Sequence, residues 1–571
     1  MHKKREVQEY YQTTTVLRNL TDILINCFNK VKTENFVETV SCIPNLKNDH
    51  YVQKWHIVTE IEYELRCCDI DLYVGIGPNF PYVLPDIYYL DTEFDYFPHI
   101  DYESRKLCLF EDEVLLDTTK PENIIFDCLK QAKQLIEDGV NKRNLNDFTE
   151  EISSYWHLSY DNEKSVNSLY YIYGKLRNDI SVLNLMFNHK GLGVIVDDEN
   201  LDKVKQWNKI VSIVKILFLP GLKVQKQPPY YMTWSILKGL LSKEQLEAVY
   251  NFIKKTSSLN LIFPLSNNVV YGGICHSIKT NRNGFRPNSL TPIKVLEEMT
   301  TNLKLQRFVA STYNNERIEE RTSGIPQCSY KFGMVGLGSI GSNLSLLLNS
   351  FNNTSFILVD NDIFKFDNIG RHILGVNDVF RYKVDGVKKR LLASRPDMDV
   401  KAAIKNVYNY PTETLSDCSA LFLCTGNLMA EFFLIEQLEK NSINIPKFIL
   451  WLEPYGIAGH MIYLSSNEGL KDLRLLFSNQ LIYNNNLIAS DEYYKPEKFM
   501  KRDAGCNGTY TNYSGNDVTL FLSSMYPHIC NLLENHGFLK CYRWVGNVHL
   551  AKEKGISLSE NGLVKNQVNI F

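Results

Sequence analysis

Lys331-Phe332-Gly333-Met334-Val335-Gly336-Leu337-Gly338-Ser339-Ile340-Gly341 decides how the 571-residue chain is read. Lys331–Val335 is a short apolar run of strand type, three glycines follow at the spacing G-x-G-x-x-G, and Ser342–Ser350 then reads as a helix. Glycines let the backbone turn tightly and come close to phosphate oxygens without a Cβ in the way. The helix N-terminus offers N–H groups and a positive dipole end to an anion. A second apolar strand, Ser355–Val359, ends at Asp360, nineteen residues after Gly341, where a carboxylate accepts hydrogen bonds from ribose hydroxyls. A glycine turn alone is a weak signal. Strand, loop, helix, strand and acid in this order predict a nucleotide site in an α/β domain with a parallel sheet.

The residues after Asp360 separate a triphosphate from a dinucleotide. Asn368 and Arg371 follow within eleven residues, and Lys383 lies twelve beyond Arg371. Such a cluster suits a phosphate chain whose charge must be neutralised as pyrophosphate leaves; a nicotinamide enzyme has no need of it. As isolated residues, Arg371 and Lys383 would be solvated surface charges.

Outward from that core, the chain bounds its own class. Its 62 basic and 65 acidic residues leave a net charge of -3, which argues against a dedicated nucleic-acid binder. No run approaches the roughly 20 apolar residues of a membrane span, and the basic start leads into no signal-peptide core. Thirteen cysteines occur without any C-x-x-C pair, so a zinc ribbon is not expected, and reduced thiols in the cytoplasm are.

Three regions are expected. Residues 1–150 open with a helix over about Val16–Lys32, continue with strands at Trp55–Leu65 and Ile70–Gly75, pass through a stretch with four prolines, Gly77–Pro98, and close with a helix over Asn123–Glu137. Residues 151–310 form a linking domain with strands at Val211–Leu217 and Val269–Gly273, a helix at Lys243–Lys254 and no chemical constellation. Residues 311–571 carry the nucleotide domain.

Two cysteines stand out. Cys506 lies in Asp503-Ala504-Gly505-Cys506-Asn507-Gly508, a polar, glycine-flanked loop where packing gives no reason for a thiol, unlike Cys418, Cys424 or Cys530 among apolar neighbours. Cys108 lies in Lys106-Leu107-Cys108-Leu109-Phe110, whose apolar neighbours leave a structural role open.

The glycine loop with Asp360, Asn368, Arg371 and Lys383 resembles the ubiquitin-activating/ThiF/MoeB adenylyltransferase superfamily, and Trp451-Leu452-Glu453-Pro454 with Gly459-His460 looks like a bacterial branch of it. The resemblance implies a Rossmann-like fold that uses ATP and Mg2+ to adenylate a protein's C-terminal carboxylate. Gly336, Gly338 and Gly341 would cradle the nucleotide, Asp360 would hold the ribose, and Asn368, Arg371 and Lys383 would contact the phosphates, with Arg371 also catalytic. It further implies a homodimer, with Arg317 or Arg321 reaching the partner's site, and a thioester on Cys506. One departure is plain: Cys424-Thr425-Gly426-Asn427 has glycine where relatives carry a metal-binding acid, which leaves Asp360, Asp362 or the phosphates themselves and no assigned metal ligand.

Pro81, Pro85 and Cys108 resemble the proline turn and catalytic cysteine of a ubiquitin-conjugating α+β domain covering roughly residues 15–145. That family's oxyanion asparagine falls eight residues before the cysteine; here the position is Ile100, leaving backbone N–H groups, His99 or Asp101 to replace it. Conjugating and activating domains in one chain resemble the fused enzymes of bacterial CBASS antiphage systems. That implies a CD-NTase (a cGAS-like nucleotidyltransferase) or a ubiquitin-like protein as carboxyl donor, an acceptor protein or small-molecule amine, and no nucleic acid or membrane. The alternatives are a sulfur-carrier adenylyltransferase, a catalytically inactive binding scaffold and, more distantly, a nucleotide oxidoreductase.

Overall fold

The computed structural model describes residues 21–32, 37–44, 50–91, 94, 96–101, 104–110, 115–150, 152, 156, 170–207, 210–223, 232–266, 270–286, 289–322, 328–351, 353–396, 398–502, 509–559 and 568–570. The chain divides into two compact units: Met1–Tyr170 with Arg177–Leu183 and Lys215–Ser311, and Tyr171–Leu176 with Asn184–Val214 and Thr312–Phe571.

In the first unit, β1 (Thr39–Ile43), β2 (Gln53–Tyr63), β3 (Arg66–Ile76) and β4 (Asp86–Tyr89) form an antiparallel sheet in sequence order. The alternation predicted around Trp55 sets its faces: Trp55, Ile57 and Ile61 on β2 and Ile70, Leu72 and Val74 on β3 are buried. A helix at residues 21–32 adds Phe28, stacked on Trp55 at 4.2 Å between ring centroids. The helix Pro121–Val140 starts with proline at its first turn, where no N–H is missed, and buries Ile125, Leu129, Ala132 and Ile136 in the same core. Residues 16–20 of the expected first helix lie outside the described residues.

The middle of the chain is more regular than its sequence signals suggest. β5 (Tyr170–Tyr173), β6 (Ser181–Asn188), β7 (Gly193–Val196), β8 (Ile210–Phe218), β9 (Ser258–Ser266), β10 (Val270–Ser277) and β11 (Arg307–Tyr313) close into a barrel of order β10-β11-β5-β7-β6-β8-β9. The helix Lys243–Thr256 begins with a capping box, Ser242 accepting from Gln245 N while the Gln245 side chain accepts from Ser242 N.

In the second unit, β12 (Ser329–Val335), β13 (Asn353–Val359), β14 (Asp399–Ala403), β15 (Ala420–Leu423), β16 (Lys447–Leu452), β17 (Ala458–Leu464), β20 (Lys540–Val545) and β21 (Val568–Ile570) make one sheet of order β14-β13-β12-β15-β16-β17-β20-β21. The short pair β18 (Met500–Arg502) and β19 (Thr509–Thr511) stands apart. β12 to β16 are parallel, and from β17 onward the strands run antiparallel, so the expected parallel sheet is a mixed one. Both faces are covered. Phe332, Phe356, Phe422 and Phe448 point into one core with Phe521 and Met525 of the helix Gly515–Asn535; Val335, Ile357, Leu421 and Ile449 point into the other with Leu434 and Ile435 of the helix Leu428–Lys440. Burial on both faces explains why these strands read as unbroken apolar runs. The chain leaves β12 for β13 and β14 on one side and returns through β15 on the other. The ends of β12 and β15 therefore flank the crevice where such sheets bind ligands.

A Cβ added at Gly139 would lie 2.3 Å from the ring of Phe97, which is fully buried. Gly139→Val is therefore expected to destabilise the first unit by about 1–3 kcal/mol. Faster hydrogen exchange across Pro121–Val140 would show it, and unchanged exchange would contradict that packing.

Candidate active site

The glycine loop follows from close approach of backbone to backbone. Gly336 takes φ +85°, and a Cβ there would fall 2.6 Å from the Cys424 carbonyl oxygen at the end of β15. A Cβ on Gly341 would fall 2.0 Å from the Gly336 carbonyl oxygen, so the helix Ser339–Leu348 starts directly against the loop that feeds it. Gly338, the residue that caps this helix, has nothing within 4 Å of a would-be Cβ. Its side of the loop opens on a cavity of about 560 Å³.

Of the residues expected at the site, Gly338, Asn368, Arg371 and Lys383 line this cavity together. Lys383, buried at the start of the helix Lys383–Ser394, donates to Asp362 Oδ2 at 2.7 Å. Arg371 lies 5.1 Å over the ring of Tyr513 and donates to the Thr511 carbonyl at 3.2 Å. Asn368 Oδ1 accepts from Lys365 N at 3.0 Å. Asp360 is not among the lining residues: its two oxygens accept from Leu337 N and Asp362 N, each at 2.7 Å. In this structure it ties β13 to the glycine loop, and burial raises its carboxyl above the usual range against the pull of Lys383. Arg317 and Arg321 sit on the short helix Asn315–Arg321, and neither lines the cavity.

Cys506 lies outside the described residues. The strands on either side of residues 503–508 pair antiparallel, Met500 with Thr511. Thr511, five residues on, is part of the cavity wall. Five extended residues reach at most about 17 Å. Cys108, in the first unit, is exposed, while Ile100 is buried at 2 % exposure and serves the core.

Further residues in and beside the cavity complete the site, and His372, Asn343 and Glu431 among them carry no signature in the sequence. His372 receives the Leu374 N–H on Nδ1 at 3.1 Å and bonds the Leu337 carbonyl through Nε2 at 2.8 Å, which makes Nε2 the protonated nitrogen. Burial lowers its pKa to about 4, so it stays neutral and holds the loop in place. Asn343 bonds the Ser339 and Arg371 carbonyls, tying the first turn of the helix to the arginine segment. Glu431 is buried beside Gly426 and accepts from Thr425 Oγ1 at 2.7 Å. Burial raises its pKa to about 7. The segment with glycine in the acid's place thus has a carboxyl after all, one helical turn further on. Glu453 also lines the cavity, bonded by His460 at 2.6 Å and by Leu487 N and Ile488 N. Cys424 lines it too, but burial and Glu431 keep its thiol protonated, so it is no nucleophile.

Two family matches agree with these folds. Residues 45–165 match prokaryotic E2 family B, and residues 328–466 match the ThiF family. The chain therefore combines an E2-like domain with a ThiF adenylyltransferase-like domain of Rossmann type. No curated protein matches it. Solved structures with some likeness include PaaA, at 15% identity and TM-score 0.33 over 51% of this chain and 86% of that one. Escherichia coli MccB with ATP is another, at 12% identity and TM-score 0.27 over 42% of this chain and 64% of its own. Among the described residues no helix is long and apolar enough to cross a membrane.

Two predictions follow from this geometry. Gly341→Ala forces the helix away from the loop and is expected to weaken ATP binding at least about tenfold, the loss of a well-placed set of phosphate contacts; calorimetric titration showing unchanged affinity would contradict it. Glu431, neutral in the folded chain up to about pH 7 but ionised above its usual range when unfolded, binds more protons folded than unfolded between about pH 4.5 and 7. Its contribution is full below that window and is lost as pH rises through it. Glu431→Gln should thus gain stability relative to the parent by up to about 1.4 kcal/mol per pH unit across the window. Parallel melting curves with a pH-independent gap would refute this.

Proposed function

We propose that this protein adenylates the C-terminal carboxylate of another protein with ATP and passes the acyl group through Cys506 and then Cys108 to an amine. The observation that carries the reading is the convergence of Gly338, Asn368, Arg371 and Lys383 on one cavity at the sheet's switch point, in a chain that also holds an E2-like domain with an exposed cysteine.

In the first step a carboxylate oxygen attacks the α-phosphorus and pyrophosphate leaves. N–H groups at the start of the helix Ser339–Leu348 face the phosphates, and Arg371 and Lys383 stabilise the charge that grows on the leaving group. Lys383 exchanges Asp362 for phosphate in doing so. The Cys506 thiolate then attacks the acyl carbonyl, the carbon–sulfur bond forms and AMP departs with the oxygen it gained. The Cys108 thiolate displaces Cys506 in turn, and an amine nitrogen finally displaces Cys108. Mg2+ would supply charge neutralisation at the phosphates. No cluster of three possible metal ligands lies at this cavity among the described residues.

Phe366, Val376 and Phe380 are exposed on the segment after β13, which supports a homodimer formed through the adenylating domain. The donor in this reading is a CD-NTase or ubiquitin-like protein, and the setting is antiviral defence in the cytoplasm.

With ATP, Mg2+ and a glycine-terminated donor, non-reducing gels should show a thiol-sensitive adduct. Cys108→Ala is expected to trap it on Cys506, and Cys506→Ala to abolish it while pyrophosphate exchange survives. Arg371→Ala should lower exchange by about 10²-fold. Exchange without any thioester would favour a sulfur-carrier activator, and no ATP turnover would favour a scaffold.

A further inference from the structure

We infer that His99, oriented by Asp147, is the base that serves Cys108 when the amine attacks. The inference rests on the reading of Cys108 as an acyl carrier, and its test separates the two.

The geometry begins with a short antiparallel rung. Ile100 pairs with Leu107, Asp101 N donates to the Lys106 carbonyl at 2.8 Å, and Cys108 N donates to the His99 carbonyl at 2.8 Å. That register sets His99 directly across from Cys108. Ile100 and Leu107 are both buried, which anchors the rung in the core while Cys108 stays exposed. A second contact comes from the far end of the domain. Phe148 stacks on Tyr96, whose hydroxyl bonds the Ile100 carbonyl, and Asp147 beside it places Oδ2 at 3.1 Å from His99 Nε2. The backbone at His99 has φ +64°, a left-handed conformation that glycine or asparagine adopts more readily. A surface histidine–carboxylate pair adds little stability on its own. Stability alone therefore gives weak reason to keep a histidine on that backbone.

The chemistry fits the vacancy in the usual pattern. The oxyanion amide of conjugating domains falls here on Ile100, a core residue, so no side-chain donor stands there. With Asp147 accepting from Nε2–H, the basic nitrogen of the neutral ring is Nδ1. As the amine attacks the thioester carbonyl, the carbon–nitrogen bond forms and the carbon–sulfur bond breaks. Cys108 leaves as thiolate, and the proton shed by the attacking nitrogen passes to Nδ1. Asp147 is a positioning residue: it fixes the ring and stabilises the imidazolium.

The test uses the full chain and bypasses ATP. N-acetylglycine thiobenzyl ester loads Cys108 by thiol exchange, with Cys108→Ala as the background for other cysteines. Excess ester is removed, L-lysine is added, and loss of the adduct is followed by intact mass. His99→Gly, which suits the left-handed backbone and leaves space at the ring, should slow aminolysis about 100-fold, the usual worth of a general base. Added imidazole should restore a large part of it, and His99→Asn should be slow without being rescued. Asp147→Asn should cost about tenfold. Aminolysis of His99→Gly at the parental rate, or a loss that imidazole leaves untouched, overturns the role of His99 while Cys108 keeps its thioester. Failure of Cys108 to take up the acyl group overturns the carrier reading and this inference with it.

Discussion

The second unit is organised around a distance too short for any side chain. The start of the helix Ser339–Leu348 comes so near the Gly336 carbonyl that a methyl group at Gly341 would sit 2.0 Å from its oxygen. Gly336 is pressed just as closely on the end of β15. These two contacts bring the helix N-terminus, the end of β12 and the start of the helix Leu428–Lys440 to one point. A phosphate bound there would meet backbone N–H groups on one side and the residues after β15 on the other. The apolar layers on both sheet faces hold that point rigid.

Around this frame the charges are held in reserve. Lys383 is paired with Asp362 and Arg371 rests on Tyr513 and Thr511, so each cation is oriented before any anion arrives. A preoriented cation loses less freedom on binding than a mobile one, which favours catalysis over mere affinity. His372 does the same for the loop itself: kept neutral by burial, it bonds Leu337 between two of the glycines. Arg371 also bonds the cavity wall to β19, the strand that follows residues 503–508, through the Thr511 carbonyl.

What the sequence disclosed, and what it hid, follows from the range of the forces involved. The glycine spacing, the period-two burial of β2 and β3 and the helix near Pro121 are local patterns, and each lies where the residues indicate. Asn368, Arg371 and Lys383 stand close together in the sequence after Asp360, and the structure sets all three on the wall of one cavity. Glu431 was hidden because it reaches the Thr425 segment from the next helical turn, and Tyr513 because it meets Arg371 across more than a hundred residues. Asp360 was found in position but not in contact: its oxygens turn to backbone N–H groups rather than to the cavity. The barrel between the two family-like regions escaped because its closure sets β11 beside β5, strands more than a hundred residues apart that no local period connects.

The central claim is that a carboxylate oxygen attacks the α-phosphorus in the cavity beside Gly338. Isotope transfer tests it most directly. A donor protein carrying ¹⁸O in its C-terminal carboxylate, turned over with ATP to completion, should yield AMP bearing one ¹⁸O and unlabelled pyrophosphate. Unlabelled AMP, or label appearing in phosphate released with ADP, would contradict the account.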